Sequence, residues 1–131
     1  MVLVVEKAMN RLLFYLILGQ CAYTLITAIW PLVHIKSFMA VTGPKRDVWL
    51  VKTVGALLIP IATCLVTVLL LGTDYRPAIV LGALAALAFI IIDVYYVSKK
   101  VIARIYLADA AVEFVFLIGY IIVVSTDGWH S

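Results

Sequence analysis

Residues 12–33, LLFYLILGQCAYTLITAIWPLV, form an apolar stretch without a single charged residue. An α-helix rises about 1.5 Å per residue, so roughly 20 such residues cross the ~30 Å hydrocarbon core of a bilayer. Three further stretches have the same character, residues 53–72, 78–97 and 105–124, and their only charged residues are Asp93, Asp109 and Glu113. A membrane β-barrel would instead show shorter segments of alternating polarity. The sequence therefore predicts helices that span a membrane.

The composition indicates the same class of protein. Of the 131 residues, 66% are apolar and 13% are charged, and the mean hydropathy is +1.21. A soluble domain is about 45–50% apolar and about 25% charged. The composition therefore excludes both a water-soluble domain and a disordered chain. Because short connections make consecutive helices antiparallel, we expect an all-α, up-down four-helix transmembrane bundle. It forms one domain, residues 1–131, with helices at about 10–33, 52–72, 78–97 and 104–124.

The basic residues predict the orientation of the bundle. Ten Lys and Arg against seven Asp and Glu give a formal net charge of +3. Most of the basic residues lie in the connections that follow the first and third helices: Lys36, Lys45, Arg46, Lys52, Lys99, Lys100 and Arg104. The other three, Lys7, Arg11 and Arg76, lie at the opposite ends of the helices. The positive-inside rule then predicts that those two connections are cytoplasmic and that both termini are outside. Basic clusters that flank apolar runs indicate a lipid bilayer, and no nucleic acid, as the partner.

Three carboxyl groups lie inside the apolar stretches, where an Asp costs about 2.5–3.5 kcal/mol at the helix centre. Asp109 and Glu113 are separated by four residues and share one helix face with Tyr106. Asp93 is expected at nearly the depth of Asp109, because the third and fourth helices form a hairpin. The three acids therefore face one another in the predicted bundle, and Glu113 has no cation nearby on its own helix.

The polar residues of the other helices complete a predicted lining. Gln20, Thr24 and Thr27 lie on one face of the first helix, and Thr63 lies on the second. The candidate ligand-binding residues are Glu113, Asp109, Asp93, Gln20, Thr24 and Tyr106. Structural alternatives stay open for several of these positions. Gln20 could join two helices, Asp93 and Asp109 could pair with Lys99 and Arg104, and Thr63 and Thr67 could bond local carbonyls.

Two carboxyl groups one helical turn apart in a medium of low dielectric do not both ionise cheaply, so one is expected to retain its proton. That property suits a proton-coupled carrier, a cation-binding protein, or an enzyme that uses Glu113 and Asp109 as general acid and base. The acids by themselves do not choose among these three functions. The sequence contains no recognised catalytic motif.

The basic rim is a second candidate site. His34, Lys36, Lys52 and Arg104 could bind a phosphate or carboxylate headgroup, or they could serve only topology and attraction to anionic lipid. Residues 35–41 are mostly apolar with one charge, Lys36, so they either extend the first helix or lie along the interface. No metal site and no cofactor are expected, because the membrane segments offer His34 no second histidine and the cysteines show no ligand spacing.

Residues 40–55, AVTGPKRDVWLVKTVG, resemble a loop of small bacterial four-helix membrane proteins to which no function has been assigned. The resemblance implies a bacterial inner-membrane setting, and it implies no activity and no site.

Three functions follow as hypotheses. The first is binding or transport of a small cationic or proton-exchanging ligand in a cytoplasm-facing carboxylate cleft, which a homodimer would complete. The second is an enzyme that acts on a lipid or isoprenoid with the same carboxyl groups. The third is an accessory subunit whose acids pair with basic groups of a larger membrane complex.

Overall fold

The computed structural model describes residues 2–72 and 74–128, with side chains for residues 11–72 and 74–126. Its elements are α1 (Val2–Val33), α2 (Ile35–Thr42), α3 (Val48–Leu71), α4 (Arg76–Ser98), α5 (Tyr106–Val123) and a π-helical segment, Val124–Gly128. Four segments are long and apolar enough to cross a membrane: Arg11–Val33, Val48–Leu71, Arg76–Ser98 and Tyr106–Thr126. All regular structure in the described ranges is helical, which confirms the predicted all-α membrane bundle.

Two helices begin earlier than the sequence predicts. α1 begins at Val2 rather than near residue 10, because residues 2–10 contain no Gly or Pro that would end a helix. α3 begins at Val48 rather than near residue 52, and the backbone N–H of Leu50 donates to the Asp47 carbonyl at 3.0 Å. The third and fourth spans begin and end within two residues of their predicted limits.

The short helix α2 is separate from α1 and packs against its end. The chain bends at His34, whose ring nitrogen Nδ1 accepts a hydrogen bond from the backbone N–H of Ser37 at 3.1 Å and so caps α2. Trp30 donates from Nε1 to the Ser37 hydroxyl at 2.8 Å, and its ring meets Phe38 edge to face with centroids 5.5 Å apart. Of the two arrangements expected for residues 35–41, the structure thus has a separate helix.

The bundle consists of two closely packed helix pairs. α1 packs along α3 and α4 packs along α5, whereas α3 and α4, although consecutive, touch only slightly. Gly55 permits the close approach of the first pair, since a Cβ there would lie 2.6 Å from the carbonyl oxygen of Ala28. The close α4–α5 pair is the hairpin that the sequence predicts, and it brings Asp93 toward the acids of α5.

The two halves of the bundle differ in character. A dry apolar core occupies the half remote from α2, formed by Leu13, Ile17, Cys21, Ala62, Leu65, Ala78, Ile79, Tyr120 and Val123. The other half lies beneath α2 and the connections 43–47 and 99–105, and we call it the basic end because most Lys and Arg residues are there. The buried acids lie in this half.

Candidate functional site

A cavity of about 300 Å³ opens at the basic end, between α3 and α4. Its polar side chains are Thr27, Lys45, Asp93, Tyr106 and Asp109. The rest of its wall is aromatic, aliphatic or glycine: Pro31, Phe38, Leu50, Val51, Val54, Gly55, Leu58, Phe89, Ile92, Tyr96 and Ile102. We call this space the acid cavity. Its volume is at the lower end of the range of small-molecule sites, roughly 300–1,000 Å³.

A second cavity of about 230 Å³ adjoins the acid cavity, between α1, α2 and α5. Four residues line both spaces: Thr27, Phe38, Tyr106 and Asp109. The Asp109 carboxyl group therefore borders both spaces, whereas Asp93 lines only the larger one. The sequence predicts Asp93, Asp109 and Tyr106 as site residues, and the structure brings all three together.

Tyr23 is a partner of Asp109 that sequence reasoning missed. Its hydroxyl donates a hydrogen bond to Oδ1 of Asp109, and Thr27 in turn donates to the Tyr23 carbonyl. The Tyr23 ring packs against Phe116, with ring centroids 6.1 Å apart. The sequence contained a signal, because Tyr23 lies in the middle of its span and not at a membrane boundary. In the hydrocarbon core a phenol requires a hydrogen-bond partner from the protein.

Asp93 and Glu113 are buried and incompletely hydrogen-bonded. They are 3% and 4% exposed, and Oδ2 of Asp93 and Oε2 of Glu113 have no hydrogen-bond partner among the described groups. Asp93 and Asp109 line the same cavity, and Glu113 lies one helical turn beyond Asp109 on α5. Removing a polar group from water without a partner costs about 1–3 kcal/mol, so the bundle keeps these acids at the expense of its own stability.

The three acids form no ion pair with any of the described side chains. Across residues 11–72 and 74–126, the single ion pair joins Asp74 and Arg76 at 3.0 Å, at the end opposite the cavity. Hydrogen bonds from Arg76 lower the pKa of the exposed Asp74 carboxyl group. Lys99 instead lies over the ring of Tyr95, 5.8 Å from its centroid. The alternative in which Asp93 and Asp109 reach Lys99 and Arg104 is therefore not the arrangement observed.

Gln20 belongs to a buried network that joins three helices. Its Nε2 donates to the Gly82 carbonyl of α4 at 2.9 Å, and its Oε1 accepts from the Tyr120 hydroxyl of α5 at 2.6 Å. The side chain is 2% exposed and lines neither cavity. These bonds favour the alternative in which Gln20 joins helices. Thr24 is also buried and lines neither space.

The prediction that Thr63 joins the polar lining is wrong. Thr63 is exposed on α3 and donates to the Ile59 carbonyl at 2.8 Å, and Thr67 does the same to Thr63 at 2.7 Å. A hydroxyl that bonds the carbonyl four residues back satisfies itself within its own helix and can face lipid. The residue that completes the lining is Thr27 of α1.

The predicted headgroup residues surround the cavity without lining it. Lys36, Lys52 and Arg104 are exposed at the basic end, and His34 uses its ring to cap α2. The basic residue that does line the acid cavity is Lys45. Its ammonium donates to the carbonyls of Thr42 and Gly43 at 3.1 and 3.3 Å and lies 4.9 Å from the centroid of Tyr106.

The carboxyl groups do not converge as metal ligands. In the part of the chain with described side chains, no three His, Cys, Asp or Glu residues are arranged to hold a metal ion. The chemistry that the cavity offers is that of two neighbouring carboxyl groups, a phenol partner of Asp109, the Lys45 ammonium and aromatic walls.

Four-helix membrane bundles host unrelated activities, so the architecture alone indicates none of them. The function of this chain is therefore inferred from its cavity and from the side chains that line it. Comparison of the chain with protein-family models, with curated proteins and with solved structures found no match.

Proposed function

We propose that this multi-pass membrane protein binds a small cation that exchanges with protons at Asp93 and Asp109, and that it carries this ligand into or across the membrane. The observation that carries the proposal is the acid cavity, in which a 3%-exposed Asp93 has an unpartnered oxygen and pairs with no cation among the described side chains. A buried charge is retained at such a cost where a partner completes it. A cationic ligand would be that partner.

The walls of the cavity support a cation as the ligand. The rings of Phe38, Phe89, Tyr96 and Tyr106 line it together with the two acids. Aromatic faces attract cations by about 0.5–2 kcal/mol each, most strongly where water is excluded. Lys45 already occupies such a position over Tyr106.

Glu113 supports the proton-exchanging part of the proposal. It lies one helical turn beyond Asp109 on α5, is 4% exposed and lines neither cavity. A carboxyl group held near two others in low dielectric is suited to take up or release a proton when the charge beside it changes. In the proposed cycle the ligand binds at the Asp93–Asp109 pair, and Glu113 takes up or releases a proton in response.

The direction of the opening is part of the same proposal. The acid cavity lies at the basic end, and the positive-inside rule predicts that this end is cytoplasmic. The resemblance of residues 40–55 adds a bacterial inner membrane as the proposed setting. The homodimer remains a prediction.

Equilibrium binding of butylamine to the purified protein in lipid nanodiscs tests the proposed function. We expect saturable binding that weakens as the pH falls, because protons compete with the ammonium group for the carboxyl groups. Asp93→Asn and Asp109→Asn should each weaken it by at least about tenfold, which corresponds to ~1.4 kcal/mol and is modest for a lost charge pair. Asp74→Asn is the matched control, since it removes a carboxylate that lies outside the cavity.

Proton release during butylamine titration gives an independent measure. The wild-type protein should release protons in a weakly buffered solution, and Glu113→Gln should reduce that release while the protein still folds. Absence of saturable butylamine binding would contradict the proposed function. Equal affinities of Asp93→Asn, Asp109→Asn and the Asp74→Asn control would contradict it as well.

A further inference from the structure

The acid cavity is open on its flank as well as at the basic end. Val54 on α3 and Ile92 on α4 line it, yet each is 48% exposed on the outer surface of its helix. Both helices have the length and composition of membrane spans. Because α3 and α4 touch only slightly, the gap between them faces the acyl chains of the bilayer.

The polarity of the cavity changes with depth. Asp93 precedes the end of α4 at Ser98 by five residues, and Asp109 follows the start of α5 at Tyr106 by three, which puts both acids about 5–8 Å from the helix ends. Leu58, ten residues into α3, lines the cavity at about 15 Å. The acids thus lie near the membrane boundary, and the apolar walls continue toward the bilayer centre.

That gradient is the one an amphiphile experiences in a lipid monolayer, with its charged group at the boundary and its chain directed inward. A hydrated inorganic cation would need several oxygen ligands in place of its water, and this wall offers mostly carbon. An organic amine needs only one anionic partner and an apolar surface for its chain. The cavity walls match the amine.

We infer that the ligand of this cavity is an amphiphilic amine that enters from the bilayer through the α3–α4 gap, with its ammonium group beside Asp93 and Asp109 and its chain along Val54 and Leu58. The inference rests on the proposed function, to which it adds the class of ligand and the route. The unpartnered Oδ2 of Asp93 supports the position of the ammonium group, and the walls support the chain and the route.

A series of primary amines tests the inference on the wild-type protein. Methylammonium, butylamine and octylamine are titrated into protein in nanodiscs, and empty nanodiscs of the same lipid give the non-specific partitioning to subtract. We expect saturable binding to strengthen by up to about fourfold for each methylene that the cavity covers, the fold-change that corresponds to ~0.8 kcal/mol. Asp109→Asn should weaken binding at every chain length.

A bulky residue in the α3–α4 gap tests the route. Val54→Trp should weaken octylamine binding by about tenfold or more and leave methylammonium within about twofold, because only the chain uses the gap. Leu57→Trp is the matched control, since Leu57 is 63% exposed on the same helix and does not line the cavity.

The outcomes separate this inference from the proposed function. Equal affinities for methylammonium and octylamine, or equal effects of Val54→Trp and Leu57→Trp on a folded protein, would overturn the bilayer route and leave the cation site in place. Absence of saturable binding for every amine would overturn the cation site itself. The chain-length series needs no variant, so equal affinities across it would overturn the inference even where Val54→Trp fails to fold.

Discussion

At the scale of single residues, Gln20 and Glu113 are both buried polar side chains of the bundle interior. They differ in whether their polar atoms have hydrogen-bond partners. Gln20 donates to Gly82 and accepts from Tyr120, whereas Oε2 of Glu113 has no partner in the described structure. A satisfied polar group stabilises the fold that surrounds it, and an unsatisfied one destabilises it. The two positions should therefore respond differently to the same kind of substitution.

We predict that Gln20→Leu destabilises the protein and that Glu113→Leu does not. The first change leaves the Tyr120 hydroxyl without its acceptor and removes the bond to the Gly82 carbonyl, so it should lower the unfolding free energy by about 1–2 kcal/mol. The second removes an unpartnered carboxyl group and should leave the melting temperature unchanged or raised. Thermal unfolding in one detergent measures both. A larger loss of stability in Glu113→Leu than in Gln20→Leu would contradict this assignment.

At the scale of elements, α4 meets α1 and α5 at Gly82. A Cβ at this position would lie 2.6 Å from the Tyr120 hydroxyl and would also collide with Oε1 of Gln20. The three helices thus approach one another at a position that only glycine can occupy while the Gln20 network is intact.

We predict that Gly82→Ala destabilises the bundle by about 1–3 kcal/mol, because the added methyl group overpacks the helix contact. Gly19→Ala is the control on α1, where the nearest atom to an added Cβ is Cε1 of Phe116 at 3.5 Å, an ordinary contact. That change should be neutral, or stabilising by up to about 1 kcal/mol through helix propensity. Thermal unfolding of both variants decides, and equal melting temperatures would contradict the predicted close contact.

The connection between α2 and α3 contributes a charge to the acid cavity. The Lys45 ammonium lines the cavity with Asp93 and Asp109, and backbone carbonyls and the Tyr106 ring hold it there. A fixed positive charge near a cation site repels the ligand, and burial weakens the screening of this repulsion by salt.

We predict that Lys45→Gln strengthens butylamine binding roughly threefold to tenfold, which corresponds to about 0.7–1.4 kcal/mol of relieved repulsion. Lys36→Gln removes the same charge from an exposed position of α2 outside the cavity, so it should change affinity by less than about twofold at physiological salt. Binding titrations of the two variants at equal ionic strength measure the difference. Weaker butylamine binding in Lys45→Gln would contradict the predicted repulsion.

At the scale of the whole molecule, the dry core and the acid cavity occupy opposite halves of the bundle, so the side on which each half lies decides what the cavity meets. We predict that a cysteine at Pro44 reacts with a membrane-impermeant maleimide only from the cytoplasmic side, and a cysteine at Asp74 only from the opposite side. The native Cys21 and Cys64 lie within spans and should stay unlabelled. Labelling from the reverse sides would invert the predicted orientation.

Part of the candidate site could be predicted from residue spacing. Asp109, Glu113 and Tyr106 share a face because of the helical period, and Asp93 joins them because α4 and α5 form a hairpin. The sequence pattern of α3 did not reveal that Thr63 faces outward. The reason is that a helix that is apolar on every face gives no signal of which side is buried. The Tyr23–Asp109 bond joins residues 86 positions apart, which no local pattern contains.

The amino-acid sequence by itself determined that four helices span a membrane. The length of an apolar run is a local property, and it can be compared directly with the thickness of the bilayer. Tertiary structure alone decided that α3 and α4 touch only slightly, that Gln20 is satisfied by Gly82 and Tyr120, and that Asp93 borders a cavity. Those outcomes depend on how side chains of distant segments fit against one another. In a helix that is apolar on every face, packing selects the buried face.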